Sequence, residues 1–292
     1  MADADYLVCG ATGATGGSAV TELLSMGARV RAYVREDGEK ATALRNRGVD
    51  VAVGDFSDID AILAALHGVE AAYFLYPITP GIIPAATCFA QAAKEAGVAS
   101  IVNMSQISAR RDSKSHAARD HWIAEQVFDW SGVPTTHLRP TFFADWLIYP
   151  WFAKDIWDTK TIAFPFAHGR HAPIASEDQG RVIAHLLAKP ESSVNNIYKL
   201  HGPVEMDHAG IAAAMSEVLQ AEITYAPMTI PEFKAKLDGM GFPEFLIQHL
   251  VEVARDYQDG LFAGINDVVE RVTGRPPLTV QEFISKHRDA FA

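Results

Sequence analysis

Three glycines stand in the run Gly10-Ala11-Thr12-Gly13-Ala14-Thr15-Gly16, between a short apolar stretch (6–9) and a helical face made of Ala19, Val20, Leu23 and Leu24. A glycine turn between strand and helix does its chemistry with backbone. One glycine permits the tight turn, one lets N–H groups approach a pyrophosphate, and one lets the helix pack closely. The spacing is G-x-x-G-x-x-G, not the tighter G-x-G-x-x-G. A turn with no ligand is the alternative, but it would expose N–H groups that an anion satisfies. The expected nucleotide contacts here are Gly10, Thr12, Gly13, Ala14, Thr15 and Gly16.

Arg35 follows the second apolar stretch, 19 residues after Gly16, where an acidic residue would bind a ribose hydroxyl. A guanidinium there pairs with a 2′-phosphate, so NADP(H) is the expected cofactor and NAD(H) the alternative. Lys40 adds a second positive charge; Glu36 and Asp37 could bind a ribose instead, or Arg35 be a solvated surface charge. Asp55 and Phe56, after the third stretch, suit the adenine edge, or else a cap for a helix at 58–66. The loop from Tyr76 and Pro77 to Gly81, after the fourth stretch, is placed to run beside the nicotinamide ribose.

The elements that must carry these residues are legible as alternation. Strands are expected near 6–9, 30–34, 49–53, 71–75, 100–103 and 135–138, and the helices between them are closed by Gly27, Gly48, Gly68, Gly97 and Gly132. Five such units in register predict an α/β chain, a Rossmann doubly wound parallel sheet. It occupies 1–140, with a helix at 176–188, capped by Ser176, and a strand at 196–200 returning to it. The stretches 141–175 and 201–292 form a smaller, mainly helical part covering the substrate. With 49% hydrophobic residues the chain can bury a large core, and its net charge of −11 disfavours nucleic acid. Cys9 and Cys88 read as two reduced, buried thiols, which with an acidic start and no long apolar run predicts a cytoplasmic protein, neither secreted nor membrane-bound.

The glycine run, Arg35, Gly54-Asp55 and the string Ser131-Gly-Val-Pro-Thr-Thr-His-Leu-Arg-Pro140 followed by Phe142-Phe143 resemble the NmrA-like branch of the atypical short-chain dehydrogenases/reductases. The resemblance extends over most of the chain, more weakly past 210. It implies an NADPH-dependent quinone, azo-dye or phenylpropanoid reductase, or a regulator that only binds the nucleotide. The Tyr-x-x-x-Lys pair usual in short-chain dehydrogenases is absent from all eight tyrosines. In its place, His121 and Glu125 fit the form of this helix in quinone-reductase-like members, unless His121 is a helix residue packed under the cofactor loop. Ser105 matches the family's active-site serine, or caps a helix. His121, Ser105 and Tyr76 are thus the candidate catalytic side chains.

Hydride addition to a plain ketone leaves an alkoxide whose conjugate acid has a pKa of roughly 15.7; addition to a quinone leaves a phenolate-like anion near about 10. The difference is roughly 8 kcal/mol. A site without Tyr and Lys therefore suits an acceptor that stabilises its own charge, such as a quinone. Phe142, Phe143 and Trp146 are candidates for the substrate pocket; Phe142, Trp146 and Tyr149 share one face at helical spacing, with Trp151, Phe152, Trp157, Phe164 and Phe166 close behind. Spacing of this kind also suits core or a dimer interface. No zinc spacing is present around His168, His171, His201 or His208, and there is no hydrolase elbow. The expectation is therefore a monomeric or homodimeric NADPH-dependent reductase of a conjugated small molecule, without flavin or metal. The alternatives are a non-catalytic NADP(H) sensor, or a reductase of a specialised carbonyl or C=C bond with His121 or an aromatic-segment Tyr as acid.

Overall fold

The computed structural model describes residues 4–189 and 195–291. Among them, seven parallel strands form one sheet in the order β3-β2-β1-β4-β5-β6-β8. The strands are β1 (Tyr6–Cys9), β2 (Val30–Val34), β3 (Asp50–Val53), β4 (Ala71–Phe74), β5 (Ser100–Met104), β6 (Thr135–Pro140) and β8 (Ile197–Leu200). Each lies within two residues of its expected position. Such strands read as near-continuous apolar runs because helices bury both faces.

Helices α1 (Ala14–Ser25), α2 (Glu39–Asn46) and α7 (Ser176–Leu187) share one apolar layer with α11 (Val268–Thr273). Helices α3 (Ile59–Leu66), α4 (Ile82–Ala96) and α5 (His116–Ser131) cover the other face. The strand order reverses between β1 and β4, and open sheets bind ligands at the carboxyl edge of such a switch point. The doubly wound fold expected from the alternation is the fold found.

Beyond β6 the chain leaves the sheet through a 3-10 turn (Ala144–Leu147), α6 (Pro150–Thr159) and the short β7 (Thr161–Ile162). The expected single helical face over 142–149 is therefore broken, with Pro150 opening a separate helix. Ser176 does not cap α7 but is its first residue. The buried Asp145 carboxylate accepts from Ser176 N–H at 2.8 Å and from its hydroxyl at 2.6 Å, so a side chain outside the helix satisfies its start. After β8 come α8 (His208–Leu219), β9 (Thr224–Tyr225), which pairs with β7, then α9 (Ile230–Gly239), α10 (Glu244–Gln258), α11 and α12 (Val280–Lys286). The excursion with α8, α9, α10 and α12 builds a second apolar core rich in aromatic rings. No helix among the described residues is long and apolar enough to cross a membrane.

Candidate functional site

The glycine turn meets strict steric demands. Gly10 has φ +66, and a Cβ on Gly16 would stand 2.3 Å from the Gly10 carbonyl oxygen, so residue 16 admits no side chain without moving backbone. The Gly13 N–H donates to Gly10 O at 2.9 Å and closes the turn. Gly13 is also the N-cap of α1; it offers no side-chain acceptor, and the first turn of α1 holds no acidic residue. Thr12, Gly13 and Ala14 are exposed, whereas Thr15 and Gly16 are buried. The result is a helix start without a side-chain cap beside an exposed loop, the arrangement that binds phosphate.

At the ends of β2 and β3 the charges are sorted. Arg35 is exposed, while the Asp37 carboxylate is held by Arg45 at 2.6 and 3.0 Å. Asp37 is thereby engaged and poorly placed to serve a ribose. Asp55 does not cap α3; Asp58 does, accepting from the Ala61 N–H. Asp55 instead accepts from the Ser57 N–H and hydroxyl, which hold its carboxyl below the usual range, and Arg35 lowers it further. Phe56 is half-buried between Tyr33 and Tyr76, with ring centroids at 5.5 and 5.8 Å. The Tyr76 hydroxyl donates to Pro80 O at 3.3 Å and folds the Tyr76–Gly81 loop, Pro77 included, on itself. Arg35, Asp55 and Phe56 thus lie past β2 and β3, and Tyr76, past β4, meets them through its ring contact with Phe56.

Further along the carboxyl edge come the ends of β5 and β6. Ser105 follows β5 without opening a helix; its N–H donates to Leu138 O, and its buried hydroxyl has no partner among the described residues. His121 is buried under α10 and near His249. Its Nδ1 donates to the Ala117 carbonyl at 2.8 Å, with the Gln106 side chain 3.1 Å from the same nitrogen. Burial pushes its pKa down, so the ring is neutral and its remaining nitrogen an acceptor. Glu125, one turn on, is fully buried in a two-point ion pair with Arg139 of β6 at 2.8 and 2.5 Å.

Phe142 is buried among Trp146, Phe166 and Phe164, while Phe143 and Trp146 are half-buried. Phe152, Phe164 and Phe166 are core, Trp157 packs against that core, and the Trp151 side chain lies outside what is described. Together with His171 and His208, the rings of Phe142, Phe143 and Trp146 line a cleft of about 10 Å³, roughly the room one water needs. Cys9 is buried and Cys88 half-buried, both as free thiols.

A family model for the NmrA-like family matches residues 3–284. The chain belongs to the NmrA-like family. This NmrA-like chain is 33% identical to the NAD(P)H azoreductase of Xenophilus azovorans over 287 residues, covering 98% of each. Among solved structures it is similar to the NADPH-dependent quinone oxidoreductase of Escherichia coli complexed with NADPH (TM-score 0.85, 24% identity, 97% of this chain and 99% of that one). It is also similar to the triphenylmethane reductase of Citrobacter sp. complexed with NADP(H) (TM-score 0.84, 22% identity, 97% and 99%).

Two features of the NmrA-like site were not anticipated from sequence. A Cβ on Gly180 of α7 would stand 2.5 Å from Ser18 Cβ, so α7 lies directly against α1. A glycine inside an otherwise helical pattern was the available signal. Next to it, Gln179 is fully buried with neither amide atom partnered. The second feature is a buried group of His171, His208 and Tyr257 below the aromatic cleft, drawn from segments 37 and 49 residues apart, for which sequence spacing gives no sign.

Proposed function

We propose that this protein is an NADPH-dependent reductase of conjugated or aromatic acceptors, with azo and quinone compounds as the substrate class. The observation that carries it is the glycine turn, whose uncapped helix start and side-chain-free Gly16 fit a pyrophosphate. The fit extends along the edge. The unpartnered Ser105 hydroxyl supplies a hydrogen-bonding group on the nicotinamide half, and Arg35 with Asp55 supplies a charge pair on the adenosine half. Arg35 would hold the 2′-phosphate, Asp55 and Phe56 the adenine side, and the Tyr76–Pro77 loop the nicotinamide ribose. When bound, the reduced nicotinamide supplies a hydride. The rings of Phe142, Phe143 and Trp146 exclude water from that end and offer flat apolar walls to a flat acceptor. The 33% identity to an azoreductase over nearly the whole of both chains supports the same class.

The test is NADPH oxidation, followed by absorbance, against azo dyes, quinones and conjugated carbonyls. Turnover with azo dyes or quinones is expected. Tight NADPH binding with no turnover on any acceptor would replace this reading with a nucleotide sensor. Arg35→Ala is expected to raise the NADPH Kd by roughly 10- to 100-fold, from the loss of a charge-assisted bond of about 1.5–3 kcal/mol, and to leave NADH unchanged. Equal losses would refute the 2′-phosphate assignment.

A further inference from the structure

The cleft below Phe142 is lined mostly by apolar side chains, with His171 and His208 among its walls. His171 sits on a bridge to Met206, its N–H donating to Met206 O at 3.1 Å and its carbonyl accepting at 2.8 Å. His208 opens α8, and Tyr257 lies in the last turn of α10. The Tyr257 hydroxyl is in close hydrogen-bond contact with His171 Nδ1 and stands 3.5 Å from His208 Nδ1. Tyr257 is locked in place by rings: Phe166 stacks on it at 4.2 Å and Phe262 at 5.3 Å. All three polar side chains are buried. Among the described residues, no three His, Cys, Asp or Glu side chains are arranged to hold a metal ion. The group therefore needs another explanation, and its place at the wall of the cleft supplies one.

The cleft is walled by Phe142 to Leu147, immediately past the end of β6, the strand that pairs with β5. The adenosine features lie over β2 and β3, across the switch point, so the nicotinamide half of a dinucleotide falls over β4 to β6. An acceptor in the cleft would then lie next to it, a placement that rests on the reductase reading above. We propose that His171 is the hydrogen-bond donor to the negative charge that develops on the acceptor, and that Tyr257 is the residue that positions it. The Tyr257 O–H donates to Nδ1, which puts the His171 proton on Nε2. Burial and the neighbouring His208 and His201 hold the His171 pKa well below its ordinary value, so the ring donates its N–H as a neutral imidazole. Phe143 and Trp146, the half-buried walls, must swing aside to admit an acceptor, because the cleft as it stands has room for about one water.

The chemistry separates two kinds of acceptor. An azo compound receiving a hydride gains two electrons, forms one N–H bond and loses its N=N double bond. The second nitrogen is left with a negative charge until a proton from water neutralises it. A cationic triphenylmethane dye receiving a hydride forms one C–H bond and becomes neutral, with no anion to stabilise. The proposed donor should matter for the first and not for the second.

The experiment compares the wild type with Tyr257→Phe, which keeps the stacked ring, and His171→Gln. NADPH serves as reductant, with a neutral azo dye and a cationic triphenylmethane dye as acceptors. Both variants are expected to lower kcat for the azo dye by about 10- to 100-fold, with the NADPH Kd unchanged and the cationic dye within about twofold. An equal fall for both dyes, or no fall for the azo dye, would overturn the proposal. Independently of turnover, ¹⁵N NMR of the wild type should show His171 protonated at Nε2 and accepting at Nδ1, a pattern lost in Tyr257→Phe. A proton on Nδ1 in the wild type would overturn it as well. Should the wild type bind NADPH yet reduce neither dye, the reductase reading fails, and the NMR result alone decides the His171–Tyr257 arrangement.

Discussion

Glu125→Ala should be among the most damaging single changes in the protein. The Glu125 side chain is 1% exposed and that of Arg139 16%, and the two meet at two points across the α5–β6 packing. Removing the carboxylate leaves a guanidinium enclosed with no counter-charge. Breaking such a buried pair costs about 3–5 kcal/mol, whereas the intact pair contributes little over an apolar replacement. At about 2 °C per kcal/mol for a chain of this size, the single variant should lose roughly 6–10 °C in Tm. The double variant Glu125→Leu with Arg139→Met has no stranded charge and should recover most of that loss. Calorimetry or urea unfolding of the wild type, Glu125→Leu, Arg139→Met and the double variant closes the cycle, with Glu125→Ala measured beside them. A single-variant cost below about 1 kcal/mol, or a double variant no more stable than the singles, would refute the reasoning.

Three further outcomes follow from the geometry. Gly16→Ala drives a methyl group to 2.3 Å from the Gly10 carbonyl, and the strain of about 1–3 kcal/mol should raise the NADPH Kd roughly 5- to 100-fold in a fluorescence titration; unchanged affinity would show that the turn can open freely. Gly180→Ala pushes α7 off α1, with 2.6 Å to Ala19 N as well as the Ser18 contact, and should cost about 1–3 kcal/mol in urea unfolding, whereas Gly239→Ala, with open space around it, should cost nothing. Burial holds the His249 pKa down at about 3, so between pH 6.5 and 3 the unfolded chain carries a proton that the folded one lacks. Stability is then lost as pH falls through that window, by up to about 1.4 kcal/mol per pH unit from this residue. His249→Gln should flatten the urea-derived stability curve below pH 6 by that amount, and parallel curves would show that the histidine is not neutral in the fold.

The sheet was legible because strands such as Tyr6–Cys9 and Ala71–Phe74, largely buried, are written as short apolar runs, and because a helix that ends in a left-handed turn calls for glycine. Gly27, at φ +80 with nothing near its absent side chain, is there for conformation alone. The glycine turn was legible for the same local reason, since a motif within seven residues carries its own geometry. Ser176 misled because a serine at a helix start usually caps it, and only the fold brings Asp145 in to take over that task. The 142–149 stretch misled because aromatic spacing is blind to the turn before Pro150. His171, His208 and Tyr257 were invisible. They come together through a bridge, a helix start and a helix end, and no local pattern encodes that meeting.

The return of the chain to the sheet governs how the protein is assembled. β8 pairs with β6 in register from His137 with Ile197 to Pro140 with Leu200, and the Thr141 N–H donates to Leu200 O, so the edge strand joins a neighbour some 60 residues earlier. A ribosome must release the whole aromatic excursion before that edge can close. Until then β6 presents an unpaired ladder, the kind of surface on which chains aggregate. Closing so long a loop is entropically slow, and it makes late edge docking the expected bottleneck in refolding. The aromatic excursion is tethered at both ends by that step, while α8 to α10 and α12, which complete its core, follow β8 in the chain.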